Sequence, residues 1–164
     1  MYKVGEFVVH PGQGVCKVNG VTEGTMPSYM LMPVGQRNPM VISFPVASES
    51  RLRPVLTRDE ATEIIAEYPT MDVEHYKDRS IALEEEHFKK EIRNGTCQDS
   101  VRIVKTFRKR IADVKARNKK PPVVFERILK QASERSLCEM SVALNMSSDD
   151  VIALFEASVE DAKN

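Results

Sequence analysis

Two hydrophobic rhythms run along the chain, and they change over at Thr57. Before it, apolar residues come in short runs: Phe7-Val8-Val9, Val15-Cys16-Lys17-Val18, Tyr29-Met30-Leu31-Met32 and Met40-Val41-Ile42-Ser43-Phe44. Six of the seven glycines fall among these runs. Short β-prone stretches punctuated by Gly, Pro and Asn predict an antiparallel sheet or small barrel of about four or five strands.

From Thr57 onward the spacing becomes helical. Thr57 and Glu60 have capping-box spacing ahead of Ala61, Ile64, Ile65 and Tyr68, and Pro69 ends that helix. A second helix is predicted from about Val73 to Arg93, with Gly95 as its stop and Ile81, Phe88 and Ile92 turned inward. Its Glu84-Glu85-Glu86 run reads as a solvated stretch. A third helix, about Asp99 to Arg117, places Ile103, Val104, Phe107, Ile111 and Val114 in one sector. Arg102, Lys105 and Lys109 fall opposite that sector, and Arg108, Arg110, Lys115 and Arg117 flank it. Pro121-Pro122 open a fourth helix, and Ser147 with Asp150 caps a fifth carrying Val151, Ile152, Phe155 and Val159. The expected fold is α+β, with a small β domain over residues 1–55 and an α-helical domain of about five helices over 56–164.

Hydrophobic residues make up 41% of the 164 and charged residues 29%, a globular profile. The N-terminus lacks the apolar core of a secretory signal, and no apolar run approaches a bilayer span. Cys16, Cys97 and Cys138 are odd in number and have no CxxC spacing, so a reducing cytoplasm is expected, without a disulfide framework or zinc site.

The formal net charge of zero conceals strong segregation. Residues 96–131 hold 11 basic and 3 acidic groups, a net +8, while residues 56–95 hold 6 and 11 and residues 132–164 hold 2 and 7. A basic block inside a neutral chain points either to nucleic acid or to a solvated helix face.

Catalytic patterns are not found. His10-Pro11-Gly12-Gln13-Gly14 lacks the spacing and the lysine of a phosphate loop and reads as a turn between strands. His10 and Cys16 could form a nucleophile pair in principle, but nothing in the sequence marks a third orienting group or an oxyanion site. No metal, cofactor or enzymatic activity is expected.

The opening Tyr2-Lys3-Val4-Gly5-Glu6-Phe7-Val8-Val9-His10-Pro11-Gly12-Gln13-Gly14-Val15 resembles the CarD/CdnL family and the related RNA polymerase-interacting domain of transcription-repair coupling factors. Tyr29 to Met32, Val41 to Val46 and Leu52 to Val55 are similar to the family's later strands, in the same order. Glu91 to Gly95, Arg127-Ile128-Leu129 and Glu139 to Ala143 are similar to pieces of its helical part.

This resemblance implies a bacterial transcription regulator. Its Tudor-like N-terminal sheet would bind the RNA polymerase β subunit, and its helical domain would contact promoter DNA beside the transcription bubble and modulate open-complex formation. An edge strand of the sheet could pair with the polymerase, with Val41, Ile42, Ser43, Phe44 and Val46 as the contact. Arg102, Lys105, Lys109, Lys119 and Lys120 would contact DNA phosphates with little sequence specificity. The chain departs from the family pattern in two ways. It has no Trp to act as a wedge at the bubble, and that position falls near Ile81. An Arg used for polymerase contact in some members falls near Ser43. Ile81 reads either as an apolar wedge or as a core residue, with His75, Tyr76 and His87 nearby as substitutes. The alternative to DNA contact is a polymerase-associated adaptor whose helical domain docks a protein partner.

Overall fold

The short apolar runs form strands in a computed structural model that describes residues 1–164. The chain separates into two units, Met1–Leu56 and Thr57–Asn164. The first contains β1 (Phe7–His10), β2 (Gly14–Val21), β3 (Ser28–Pro33), β4 (Ile42–Pro45) and β5 (Arg53–Pro54). All neighbours are antiparallel, in the order β4-β3-β2-β1-β5. The sheet is therefore not closed by strand pairing, and β4 and β5 are its edges.

Alternation along the strands sends Val8, Cys16, Val18, Tyr29, Leu31 and Phe44 to one buried cluster, joined by Leu52. A register shift between Val18 and Gly20 interrupts the ladder to β3 and locally increases the twist. Tyr29 is fully buried, so its hydroxyl needs partners. It donates to Glu49 Oε2 at 2.5 Å and accepts from the Tyr2 N–H at 3.0 Å. The N-terminal ammonium lies 3.9 Å from the same Glu49 carboxylate.

The second unit contains α1 (Arg58–Glu67), α2 (Ile81–Asn94), α3 (Cys97–Ala116), α4 (Val123–Leu144) and α5 (Ser148–Lys163). Thr57 and Glu60 make both bonds of the capping box, and Thr96 with Asp99 makes a second box at α3. The aromatic core is centred on Phe107, whose ring meets Phe88 edge-on at 4.8 Å and Phe125 at 5.4 Å. Ile92, Ile103, Ile128 and Ala132 complete this core. No helix is long and apolar enough to cross a membrane.

The second helix starts later than its sequence pattern suggests. Residues 71–80 form neither helix nor strand, and α2 begins only after Ser80, whose Oγ accepts from the Ala82 N–H. The backbone of 71–80 is instead bonded by side chains of α2 and α3, described below. Gly95 separates α2 from α3, where a Cβ would lie 2.5 Å from the Glu91 carbonyl oxygen.

The Tyr29 network has a pH signature. Burial, then the bond to Glu49, raises the phenol pKa above its ordinary 10.0, despite the opposing bond from Tyr2. A raised folded-state value means that the contribution is fully present below pH 10.0 and is lost as pH rises through the folded value. Tyr29→Phe should destabilise the sheet domain by about 1 kcal/mol near neutrality. It should also flatten the alkaline fall in stability, which urea titrations at several pH values would measure.

Candidate functional site

Strand β4 occupies one edge of the sheet, and its register decides what that edge offers. The pairs are Leu31↔Ile42, Met30↔Ser43, Tyr29↔Phe44 and Ser28↔Pro45. Backbone groups alternate in direction along a strand. The Val46 N–H donates to Pro27 O, and Ser28 O accepts from the Thr22 N–H on the other side of β3. Both bonds set the same phase: Ile42 and Phe44 turn their N–H and C=O toward β3, while Ser43 turns both of its groups outward and the planar peptide before Ile42 turns the Val41 carbonyl outward. Pro45 follows with a carbonyl but no N–H.

The five residues expected at a polymerase contact therefore divide by direction. Phe44 is buried, with its ring edge-on to His10 at 5.3 Å, and Ile42 and Val46 pack against the sheet core. Strand alternation turns the Ile42 and Phe44 side chains inward, and Val46 follows β4 as the first residue of a 3-10 turn, so any contact by these three residues runs through main chain. Ser43 is exposed. Val41 precedes β4 and is 44% exposed, and Met40 beside it is 79% exposed. What this edge presents is main chain, flanked by two apolar side chains.

In the helical unit the basic block is largely engaged. Lys105 Nζ donates to the carbonyls of Tyr68, Pro69 and Met71 at 2.8, 3.0 and 2.7 Å. All three ammonium protons thus have carbonyl partners, and burial pushes this lysine's pKa below its ordinary value. Lys105, expected at a phosphate-facing surface, is corrected to a clamp on the chain that follows α1. Arg110 donates to Tyr76 O and lies 3.5 Å from Glu84 Oε2, with its guanidinium over the Phe88, Phe107 and Phe125 rings. Arg102 is half-buried and pairs with Asp99 at 3.3 Å. Arg127 pairs with Glu85 at 2.7 Å.

Lys109 pairs with Asp113 at 3.2 Å, but both side chains are more than half exposed, at 62% and 59%. Such a pair contributes little and opens readily. Arg108, Lys115, Lys119 and Lys120 are exposed and join none of these ion pairs. Three of them crowd the end of α3 and the loop after it, where Asn118 adopts a left-handed φ of 58°. The outward positive charge is thus concentrated at the α3 C-terminus. Lys115 was legible as a flank of the apolar stripe, but its greater availability than Lys105 was not.

Two readings of α2 also change. Ile81 is 48% exposed and Leu83 46%, so Ile81 is not in the core. Its place in the first helical turn leaves it beyond the buried stripe, which runs through Glu84, Phe88 and Ile92. Glu84 belongs to no solvated run: it is buried, faces Arg110 and accepts from the Asp78 N–H at 3.0 Å. Its spacing of four from Phe88 was the available signal. Nearby, the Tyr76 and His87 rings stack at 3.7 Å and 13°. The Tyr76 hydroxyl donates to Asp78 at 2.8 Å, which holds that carboxyl below its ordinary range. His75 is exposed.

Lys105→Met keeps the aliphatic stem and removes the donors to three carbonyls. It should destabilise the helical unit by about 1–3 kcal/mol, read as a lower urea midpoint.

Among curated proteins no match to the chain is found. Residues 2–56 of the 164, the unit with the β4 edge, match the family model described as the CarD-like/TRCF RID domain. The chain therefore carries a CarD-like, RNA polymerase-interacting domain.

Proposed function

We propose that the protein is a non-enzymatic transcription regulator that docks on the β subunit of bacterial RNA polymerase through β4 and modulates open-complex formation by contacting promoter DNA with its helical unit. The observation that carries this reading is a polymerase-interacting domain whose β4 edge turns the Val41 carbonyl and both Ser43 backbone groups outward. A partner strand added there would bond to main chain. Side-chain identity at Ser43 then matters little, which accommodates a serine where the family resemblance places an arginine.

Anchoring by the sheet raises the local concentration of the helical unit near DNA, so weak phosphate contacts suffice. Lys109, Lys115, Lys119 and Lys120 supply them, with Arg102 contributing less because Asp99 pairs with it. Phosphate contacts position a protein without reading sequence. Exposed Ile81 and Leu83, with the Tyr76–His87 stack, offer an apolar surface at an opened duplex. Aliphatic side chains can wedge between bases, although they lack the broad face of a Trp.

The backbone phase selects the test. Ser43→Pro removes an outward donor and leaves the bonds of Ile42 and Phe44 to β3 in place. It should keep the sheet folded and weaken polymerase binding about threefold to tenfold. Ile42→Pro should instead lower thermal stability by breaking the internal ladder. A folded Ser43→Pro variant that binds polymerase like the parent would rule out edge pairing.

For the DNA contact, Lys119→Glu with Lys120→Glu should weaken binding to unrelated duplexes alike and reduce the salt slope by about 2. An unchanged slope would remove this surface from the DNA interface.

A further inference from the structure

The helical unit has an open cleft of about 360 Å³ that neither the polymerase edge nor the cationic loop uses. Val101 and Val104 from α3, Leu137 from α4 and Ile152, Phe155 and Val159 from α5 supply its apolar lining. The α5 residues recur at i, i+3 and i+7, a single stripe along two turns. Such a stripe on a globular helix ordinarily faces a neighbour. Here Leu137, Ile152, Phe155 and Val159 all remain half-buried. Phe155 meets the Tyr68 ring edge-on at 5.2 Å, which places Tyr68 at one wall of the cleft.

Its lips carry opposite charges. Arg108 lies one turn beyond Val104 on α3 and is exposed. Glu156 and Glu160 lie one turn apart on α5, also exposed. Glu160 pairs only loosely with Lys163, at 3.4 Å with both side chains about two-thirds exposed, 70% and 67%. Arg108 and the two glutamates line the same cleft without forming an ion pair with each other. Asp149, Asp150 and Asp161 add to the negative charge of α5.

The dimensions and the charges favour one kind of occupant. Two helical turns measure about 10 Å, the span over which an amphipathic helix presents anchors at i, i+3 or i+4, and i+7. An amphiphile with a single charged head would satisfy one lip and desolvate the other. A helix can satisfy both, because basic and acidic residues can flank its apolar stripe on opposite sides.

We propose that this cleft docks an amphipathic helix of a protein partner, with basic residues toward Glu156 and Glu160 and an acidic residue toward Arg108. The apolar anchors enter between α3 and α5, and the two charged lips set the direction in which the helix lies. The groove shares no residue with β4 or with Lys109, Lys115, Lys119 and Lys120, so its failure would leave the polymerase and DNA reading untouched.

The test uses the full chain and a labelled, end-capped helical peptide of about 14 residues. The peptide carries Leu at the three anchor positions, Lys along one flank and Glu along the other. A second peptide of the same length and anchors carries Glu along both flanks, which opposes the Glu156/Glu160 lip in either direction of the helix. Fluorescence anisotropy should show the first peptide binding about tenfold more tightly than the second. Glu156→Lys with Glu160→Lys, both at exposed positions, should reverse that preference, and amide shifts should map to Val104, Leu137 and Phe155. Equal binding of the two peptides, or a preference unchanged in the double variant, would overturn the proposal. So would saturation of the cleft by sodium decanoate without peptide binding, which assigns it to a small amphiphile. Self-association abolished by the same double variant would also overturn it, in favour of a second copy of the chain.

Discussion

The helical unit depends on satisfying the backbone of an irregular segment that belongs to neither helix nor sheet. Residues 71–80 and the turn before them have no ladder, and half-buried peptide groups need partners. The side chains of α3 supply most of them. Lys105 holds the carbonyls of Tyr68, Pro69 and Met71, Thr106 Oγ accepts from the Glu74 N–H, and Arg110 donates to Tyr76 O. Glu84 of α2 accepts from the Asp78 N–H and faces Arg110. These groups border the apolar stripe of α3, so one helix organises the aromatic core and the polar strap together.

That arrangement explains why a basic block is a poor guide to a basic surface. A buried Glu84–Arg110 pair carries a desolvation penalty that its mutual attraction only partly offsets. Three phenylalanine rings beneath the guanidinium add cation–π attraction, and the bonds to Tyr76 and Asp78 satisfy remaining polar groups. The cations left for a partner are those past the strap, where α3 ends and the helix dipole already favours positive charge. The α3 C-terminus and its loop thus differ chemically from the middle of the same helix.

The sheet imposes a comparable division at β4. Its inward side chains anchor the strand to the core, and its alternate backbone groups are bonded to β3. Only the Val41 carbonyl and the Ser43 backbone groups remain directed outward, followed by a proline that blunts the edge. A contact of this kind is short and strand-like, and it tolerates substitution of the outward side chains.

Most element types, the switch at Thr57, the caps of α1 and α5, the glycine stop of α2 and the apolar stripe of α3 were legible in the sequence, because those depend on local periodicity and on side chains within a turn of the backbone they bond. The β-like N-terminal run and its family resemblance were legible for the same reason. Tertiary structure decided the rest. Whether β4 lies at an edge depends on strand order, and which backbone groups face outward depends on register. Lys105 and Lys109 look alike in sequence, yet one meets three carbonyls about 35 residues away in the chain and the other a single exposed aspartate. Residues 73–80 had helical spacing but found long-range hydrogen bonds that a helix would forfeit. Ile81 looked like core because Phe88 and Ile92 are, but the start of α2 at Ser80 left it outside the stripe. Each of these outcomes turns on partners distant in sequence, which no local pattern encodes.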